Sequence, residues 1–484
     1  MLLSLIVWLP AIFGVAAYLS GDRLSKYVAS LGAVLDFALA LYLSISFNWS
    51  EAYKMQFTEV HPWIQMFGVS YKLSVDGLSM TLVLLTTILF VSAALGSMTV
   101  IEERRAFYYL LLMVLQTGIL GVFVSMDLFV FFLFWEVELI PMYFLIAIWG
   151  SENRRYAAIK FFIFTHVGSL LMLFTFIFVH LEYFWATGIR TFDYATLTAA
   201  EGHMPFALAR ILCSLLVVGY LIKVPSVPLH TWLPDAHVEA PSPISVILAG
   251  LLLKTGGYGI IRMGYGLFPK AAASISTWIV GLGALSLFYA SLVAISQISL
   301  KRLIAYSSIA HMGVFLIGVG SHTVIGWVGA MFMMFSHGLI NGMLFNMCGF
   351  YKHRFHSYDI PVLRGFTKAM PISSAFLVFG GMASLGLPGL SGFPAEFFSF
   401  MGAFKAFGYI AIPLIAGLLL NAAYNLWMIQ RMVFGEQRYE DNAKDLVVTE
   451  ILALLIPSAF IILLGVYPAP LAELYRVVAL SMIG

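Results

Sequence analysis

Apolar stretches of roughly 18 residues or more follow one another from one end of this chain to the other. Each is long enough to cross the hydrocarbon core of a bilayer as a helix, and the gaps between them are too short for a separate soluble domain. The composition agrees, since 61% of the 484 residues are hydrophobic and only 10% are charged. The sequence therefore predicts an all-α polytopic membrane protein.

We expect about 14 membrane-spanning helices, numbered here as spans 1 to 14 along the chain. The first residues lack the basic region and the cleavage site of a signal peptide, so they are assigned to span 1. The expected regions are 1–106 with spans 1–3, 107–263 and 273–432 with five spans each, and 433–484 with span 14. The expected bounds of the spans are 2–20, 27–47, 77–98, 107–125, 127–149, 156–181, 207–231, 242–263, 273–296, 302–321, 324–350, 371–404, 408–432 and 447–467.

Span 7 is interrupted by two prolines, Pro225 and Pro228, in the segment LIKVPSVPLHTWLPDAHVEAPSPISVILAGLLLKTGG. Proline removes a helix hydrogen bond and clashes with the preceding turn, so the backbone must break there. Lys223 precedes the break, and Lys254 lies in the following span. Broken helices flanked by intramembrane charges are typical of ion sites in transporters.

The chain also contains an internal repeat. FTHVGSLLML begins at Phe164 and FSHGLINGML at Phe335, a shift of 171 residues, and a shift of 173 aligns Lys223 with Glu396 in LGLPGLSGFPAEFF. The matched features lie in spans 6 and 11 and in spans 7 and 12, which are five spans apart. An odd number of spans inverts the second copy. We therefore expect two inverted five-helix repeats, spans 4–8 and 9–13, with broken helices in spans 7 and 12.

Loop charges predict the orientation. The loops after odd-numbered spans carry about twice as many Lys and Arg residues as those after even-numbered spans. By the positive-inside rule the odd loops are cytoplasmic. Both termini are then expected on the outer side of the membrane.

Several ionisable residues lie inside predicted spans. A central charge costs about 2.5–3.5 kcal/mol on insertion scales, so these groups need partners or a water-filled interior. Carboxylates, lysines and histidines in that setting can exchange protons. The alternative is a set of buried pairs that only hold helices together. The candidate residues are Glu136, Lys223, Lys254, His311, His337 and Glu396.

Other polar residues remain open from sequence. Glu138 is two residues from Glu136, so only one of these carboxylates can face a given interior path, and the sequence does not choose between them. Asp76 and Asp127 stand where helix N-caps are expected. The roles of His166 and Asp36 stay open.

The chain lacks the motifs of soluble catalysis. The sequence contains no phosphate-binding glycine loop, no nucleotide fingerprint, no metal-spaced Cys/His set and no nucleophile elbow. We therefore expect no cofactor-binding or metal-binding residues in this chain.

Four segments carry a family resemblance. They are FWEVELIPMYFLIAIWG, KVPSVPLHTWLPDAHVEAPSPISVILAGLLLKTGGYGIIR, LIAYSSIAHMG and FSHGLINGMLF, and they resemble the antiporter-like subunits of respiratory complex I over essentially the whole chain. Sister subunits and multisubunit cation/proton antiporters usually carry Lys where this chain has Glu396. In that respect the chain is similar to the M type of bacterial NADH:quinone oxidoreductase, the counterpart of chain 4 of mitochondrial NADH dehydrogenase.

The resemblance implies a proton-pumping module of the membrane arm, in the inner membrane of a bacterial cell. Electrons would pass from NADH through FMN and iron–sulfur clusters to quinone in other subunits, and this chain would bind none of these groups. The implied partners are the other membrane-arm subunits, especially the sister antiporter-like subunits, together with lipid and protons but no nucleic acid. A subunit of a cation/proton antiporter, a purely structural subunit and a membrane arm driven by another electron donor remain alternatives.

The resemblance also implies roles for the candidate residues. Glu136 and Lys223 would form a charge-coupled pair, and Lys254 would relay a proton at mid-membrane. His311 and His337 would extend the polar path laterally, and Glu396 would pass the proton toward the outer face.

Overall fold

The computed structural model describes residues 1–434 and 444–483 as a helical bundle with one short hairpin. Part of the expected last region, residues 435–443, lies outside the described residues. The helices are α1 (Leu2–Leu19), α2 (Gly21–Ser46), α3 (Gly77–Val100), α4 (Arg105–Val124), α5 (Leu128–Trp149), α6 (Arg154–Thr187), α7 (Phe206–Lys223), α8 (Trp232–Glu239), α9 (Ser242–Tyr265), α10 (Pro269–Ile295), α11 (Leu300–Gly320), α12 (Val324–Phe355), α13 (Pro371–Ser384), α14 (Gly392–Phe407), α15 (Leu414–Val433), α16 (Val448–Val466) and α17 (Ala469–Ile483). Single helical turns lie at Trp49–Glu51, Gln65–Phe67, Tyr194–Leu197, Ala200–His203 and Gly408–Ala411.

The membrane-protein class is confirmed. Within the described residues, 12 helices are long and apolar enough to cross a membrane, or up to 13 when α14 with its following turn and α15, bent by 115°, are counted as one span. Residues 385–391 interrupt the expected span 12 and divide it into two short helices, α13 and α14. Helix α13 has only 14 residues. The expected number of about 14 spans, the regional boundaries and the inverted repeat therefore stay predictions.

The helical fold class is confirmed, and the structure adds one element to it, a hairpin in the connection 48–76. Strand β1 (Gln56–Ile64) pairs antiparallel with β2 (Val69–Val75). Aromatic and β-branched residues in both strands favour this structure. Gly68 closes the turn at φ +71°, and a Cβ there would lie 2.1 Å from the Arg190 carbonyl oxygen.

Four helices form the centre of the bundle. The buried share of the best membrane-spanning window is 100% in α9 and α12, 94% in α11 and 89% in α3, against 33–39% in α1, α2, α6, α10 and α16. A helix that is apolar and buried all round belongs to the interior. Because Lys254, His311 and His337 lie on α9, α11 and α12, these ionisable groups occupy the core.

The break after α7 leaves few backbone groups unpaired. Residues 224–231 separate α7 from α8. The Trp232 indole donates to the Ile222 carbonyl oxygen at 2.9 Å, and the backbone N–H of Val227 donates to Ser286 Oγ at 2.9 Å. Side chains thus satisfy groups that the prolines release, as an unwound segment at membrane depth requires.

Helices α10 and α11 meet backbone to backbone at two glycines. A Cβ on Gly283 would lie 2.7 Å from the Gly313 carbonyl oxygen, and a Cβ on Gly313 would lie 2.6 Å from that of Gly283. Small residues allow such close packing between membrane helices. This contact fixes α11, and with it His311, against the outer layer.

We predict that Gly283→Val lowers the thermal unfolding midpoint of the purified assembly, because overpacking at such a contact costs about 1–3 kcal/mol. Gly281→Val is the matched control on the same helix, since a Cβ there would have no described atom within 4 Å. An equal loss in both variants would show that helix propensity, and not the helix contact, is responsible.

Candidate functional site

Lys223 forms a buried ion pair with Glu138. Lys223 is the last residue of α7, and its Nζ contacts Glu138 Oε1 of α5, with 2% and 0% of the two side chains exposed. Thr255 Oγ1 of α9 donates to the same carboxylate oxygen at 3.2 Å. The Lys223 ammonium also lies 3.9 Å from the centre of the Trp135 ring, a cation–π contact. The charge pair and the two side chains that contact it therefore come from three helices, α5, α7 and α9.

The expected pairing of Glu136 with Lys223 is wrong. Two residues rotate a helix by about 200°, so Glu136 points away from the carboxylate that contacts Lys223. Glu136 Oε2 lies 3.4 Å from His166 Nδ1 of α6, and the two side chains are 21% and 39% exposed. Glu136 also borders a cavity of about 710 Å³ between α1, the hairpin and α5. It therefore lies at the outer edge of the bundle, beside His166.

Lys254 and His337 meet at the centre of the bundle. The Lys254 Nζ lies 2.5 Å from His337 Nδ1 and donates to the Ala249 carbonyl oxygen at 2.5 Å. Ala249 belongs to a π-helical turn, Leu248–Leu252, directly before Lys254. Such turns are frequent at functional sites. The ammonium is thus held by a ring nitrogen and a backbone oxygen, with no exposure of the residue.

Asn341 carries the polar path onward from His337. Asn341 Nδ2 lies 2.9 Å from His337 Nε2 and donates to Ser308 Oγ at 2.7 Å. His311 follows, with its ring centre 5.4 Å from that of His337. A cavity of about 10 Å³ lies between the two rings, close to the size that holds one water.

His311 connects this path to Glu396. Its Nδ1 faces the Ser307 carbonyl oxygen at 2.8 Å and its Nε2 faces that of Ser384 at 3.0 Å. Asn421 Nδ2 also lies 3.2 Å from His311 Nε2, so this nitrogen has both a donor and an acceptor within hydrogen-bond distance. Glu396 Oε1 is 3.7 Å from His311 Nε2, and Asn421 Nδ2 donates to that carboxylate at 2.6 Å.

Gly386, in the break between α13 and α14, allows Glu396 to take this position. Its φ is +79°, and a Cβ there would lie 2.4 Å from Glu396 Oε2. Any larger residue would be strained and would push the carboxylate away.

Helix α9 joins the two clusters, because Thr255 contacts Glu138 while its neighbour Lys254 contacts His337. The structure thus brings together Lys223, Lys254, His337, His311 and Glu396, and leaves Glu136 at the edge. Glu138, Asn341 and Asn421 complete the set. The sequence contained no signal for the asparagines beyond an amide inside a predicted span.

His237 is a further buried histidine, at the end of α8. Its residue exposure is 0%, and neither ring nitrogen has a hydrogen-bond partner among the described residues. The ring stacks on Phe345, with centres 4.4 Å apart. Lys301, also buried, contacts the carbonyl oxygens of Val238 and Ala240 on either side of α8's end. An unpaired buried imidazole is costly and therefore suggests a site for mobile water or protons.

The lesser candidates have structural partners. Asp76 caps α3 and pairs with Arg262, and Asp127 caps α5, so both N-cap predictions are confirmed. Asp36 accepts a hydrogen bond from Gln116 at 2.6 Å.

Comparison with known proteins decides the family. Residues 125–420, which hold both clusters, match the family model for the membrane subunits of NADH:quinone oxidoreductase and Mrp antiporters. The chain belongs to this family. NADH-quinone oxidoreductase subunit M of Rickettsia prowazekii is 37% identical over 94% of this chain and 92% of that protein. The Escherichia coli subunit M is 35% identical over 98% of this chain and 96% of that protein.

Solved structures of the family have the same fold. A chain of respiratory complex I from Thermus thermophilus with bound NADH superposes with a TM-score of 0.89 at 30% identity, and each chain is covered completely. A chain of the Mrp complex from Dietzia superposes with a TM-score of 0.87 at 21% identity over 100% of this chain and 98% of that one, a likeness of fold alone.

A double-mutant cycle tests the Lys223–Glu138 pair within this family fold. Lys223→Met or Glu138→Gln alone leaves one buried charge unpaired, which costs about 3–5 kcal/mol. We predict that the thermal unfolding midpoint of the double variant falls by less than the sum of the decreases in the two single variants. The control cycle, Lys223→Met with Glu136→Gln, should be additive. Coupling to Glu136 instead of Glu138 would contradict the pairing.

Proposed function

We propose that this chain is a proton-translocating subunit of the membrane arm of NADH:quinone oxidoreductase, in the bacterial inner membrane. The observation that carries the proposal is a series of buried ionisable contacts, in which Lys223 pairs with Glu138, Lys254 contacts His337, and His311 lies 3.7 Å from Glu396. Relatives that match nearly the full chain carry the name of this enzyme's subunit M. In this proposal NADH, FMN, the iron–sulfur clusters and quinone bind to other subunits, and both termini face the periplasm.

The Lys223–Glu138 pair is proposed as the switch that starts each cycle. The carboxylate favours the charged ammonium while the two groups are in contact. Separation leaves a buried ammonium, whose desolvation favours release of a proton. One oxygen of Glu138, Oε2, lacks a described hydrogen-bond partner, so the pair retains an acceptor for rearrangement. Motion of this contact would change the electric field at Lys254 through α9.

Lys254 is proposed as the proton relay between the two halves. When its ammonium donates to His337 Nδ1, the neutral ring carries its own proton on Nε2 and donates a hydrogen bond to the Asn341 amide oxygen; with the ring proton on Nδ1 instead, Nε2 accepts a hydrogen bond from the Asn341 amide nitrogen. Rotation of the Asn341 amide accommodates either arrangement, since its Oδ1 has no partner in the described part of the chain. A water between His337 and His311 would carry the proton to His311 and then to Glu396.

Proton uptake is proposed to use His237. The ring lies at the end of α8 near Lys301, on the side where the positive-inside rule places the cytoplasm. One nitrogen would accept a proton while the other releases one toward Lys254. Glu136 with His166 offers a second carboxylate–histidine pair at the edge of the bundle, where it faces neighbouring subunits or lipid.

A cation/proton antiporter subunit is the second candidate, because the Mrp complex shares the fold. Such a subunit would exchange sodium for protons without electron transfer. Sodium-dependent proton exchange in vesicles that lack NADH and quinone would favour this candidate over the first.

We predict that Lys223→Ala and Glu396→Gln lower NADH-driven proton pumping in proteoliposomes by ten-fold or more, about 1.4 kcal/mol or more at the rate-limiting transfer. Glu136→Gln should also lower pumping, while leaving the thermal unfolding midpoint close to that of the parent. The measurement is the initial rate of lumen acidification together with quinone reduction in the assembled enzyme.

Lys270→Ala is the control, because Lys270 is an exposed lysine at the start of α10. Parent pumping rates in Lys223→Ala and Glu396→Gln, at normal assembly, would refute the proposed path.

A further inference from the structure

A cavity with two arginines lies at the end of the bundle where α12 and α15 finish. Its volume is about 470 Å³, and we call it the Arg364–Arg431 cavity. Its lining residues belong to the connection 356–370 and to the end of α15, and they include none of the residues of the two α9 clusters. The residues that line it include Ile360, Pro361, Arg364, Trp427, Arg431 and Phe434.

The connection that carries Arg364 is fixed in place by backbone hydrogen bonds. The Gly365 N–H donates to the Met432 carbonyl oxygen at 2.9 Å, and Thr367 Oγ1 donates to that of Val433. The Ile360 N–H donates to the Ile298 carbonyl oxygen at 2.9 Å. The backbone of Arg364 is therefore held beside the last turn of α15, which carries Arg431.

The two guanidinium groups lack carboxylate partners within residues 1–434 and 444–483. By contrast, Arg354 at the same end of the bundle is paired with Glu450. The Arg431 guanidinium carbon lies 6.0 Å from the ring centre of Trp427, and Trp427 is 49% exposed. Tryptophan beside arginine at a helix end is typical of the membrane–water boundary.

An apolar stripe extends from this cavity along α15. Leu426, Leu419 and Ile415 are 49%, 69% and 51% exposed, and their spacing of four and seven residues places them on one face of the helix. The polar end of the stripe thus holds two cations, and the rest is apolar surface at membrane depth. This pattern matches the two parts of a charged lipid.

We propose that the Arg364–Arg431 cavity binds the headgroup phosphate of an anionic phospholipid, with an acyl chain along the exposed face of α15. Guanidinium groups bind phosphate through paired charge-assisted hydrogen bonds. Basic pockets at the cytoplasmic ends of membrane helices bind anionic headgroups in this manner. The proposal depends on the membrane location of the chain and is independent of the proposed proton path.

Photolabelling of the assembled enzyme tests the site. The probes are phosphatidylglycerol and phosphatidylethanolamine with the same diazirine-bearing acyl chain, added to delipidated enzyme, and labelled peptides are mapped by mass spectrometry. We expect the phosphatidylglycerol probe to label the peptide containing Trp427, and the phosphatidylethanolamine probe to label it roughly ten-fold less. Arg364→Gln with Arg431→Gln should reduce the phosphatidylglycerol labelling roughly ten-fold, whereas Arg364→Lys with Arg431→Lys should retain most of it.

The matched control is Arg23→Gln with Arg155→Gln, which removes two exposed arginines at predicted cytoplasmic helix ends and should leave the labelling unchanged. Equal labelling by both probes, or full labelling of the Arg364/Arg431 glutamine variant, would overturn the proposal. Displacement by soluble glycerol phosphate at the same concentration would also overturn it, in favour of a free phosphate ester. Absence of phosphatidylglycerol labelling at this peptide in the parent enzyme would likewise overturn it.

Discussion

The cost of a lysine ammonium inside hydrocarbon organises this molecule. Lys223 and Lys254 both lie in membrane-spanning helices with almost no exposure, so each must find a partner inside the protein. Lys223 has the Glu138 carboxylate, whereas Lys254 has, among the described residues, an imidazole and a backbone oxygen. The second lysine is thus less well compensated than the first. In the proposed path, this imbalance makes Lys254 the group that most readily gives its proton to a neighbour.

The sequence predicted the parts of the fold that hydrophobic length determines. Most expected spans end within a few residues of the observed helices, and both breaks lie where proline and glycine release the backbone. Helix α6 extends to Thr187, beyond the expected end at residue 181, because Glu182 and the aromatic residues 183–185 continue the helix past the apolar run. The hairpin β1–β2 and the helix α17 were missed, since neither is a long apolar stretch.

The hydrophobic pattern of the sequence could not show whether Glu136 or Glu138 faces the interior of the bundle. Helix α5 is apolar on every side, so hydrophobic periodicity gives no indication of which face is interior. In the structure the interior face of α5 is the one that carries Glu138. Phe131, Trp135 and Met142, at spacings of four and seven residues, are buried on the same face. The family resemblance assigned the pairing with Lys223 to Glu136, because matched sequence positions contain no information about side-chain packing. The result is one carboxylate for Lys223 and another at the subunit's edge.

The central claim is that Lys254 joins two polar clusters into one proton path. The most direct test is the number of protons pumped per NADH oxidised by enzyme carrying Lys254→Met, measured in proteoliposomes. Methionine keeps the length of the side chain but removes the exchangeable proton. The account predicts a lower ratio than in the parent enzyme, or loss of pumping together with quinone reduction. A parent ratio at the parent rate would contradict it.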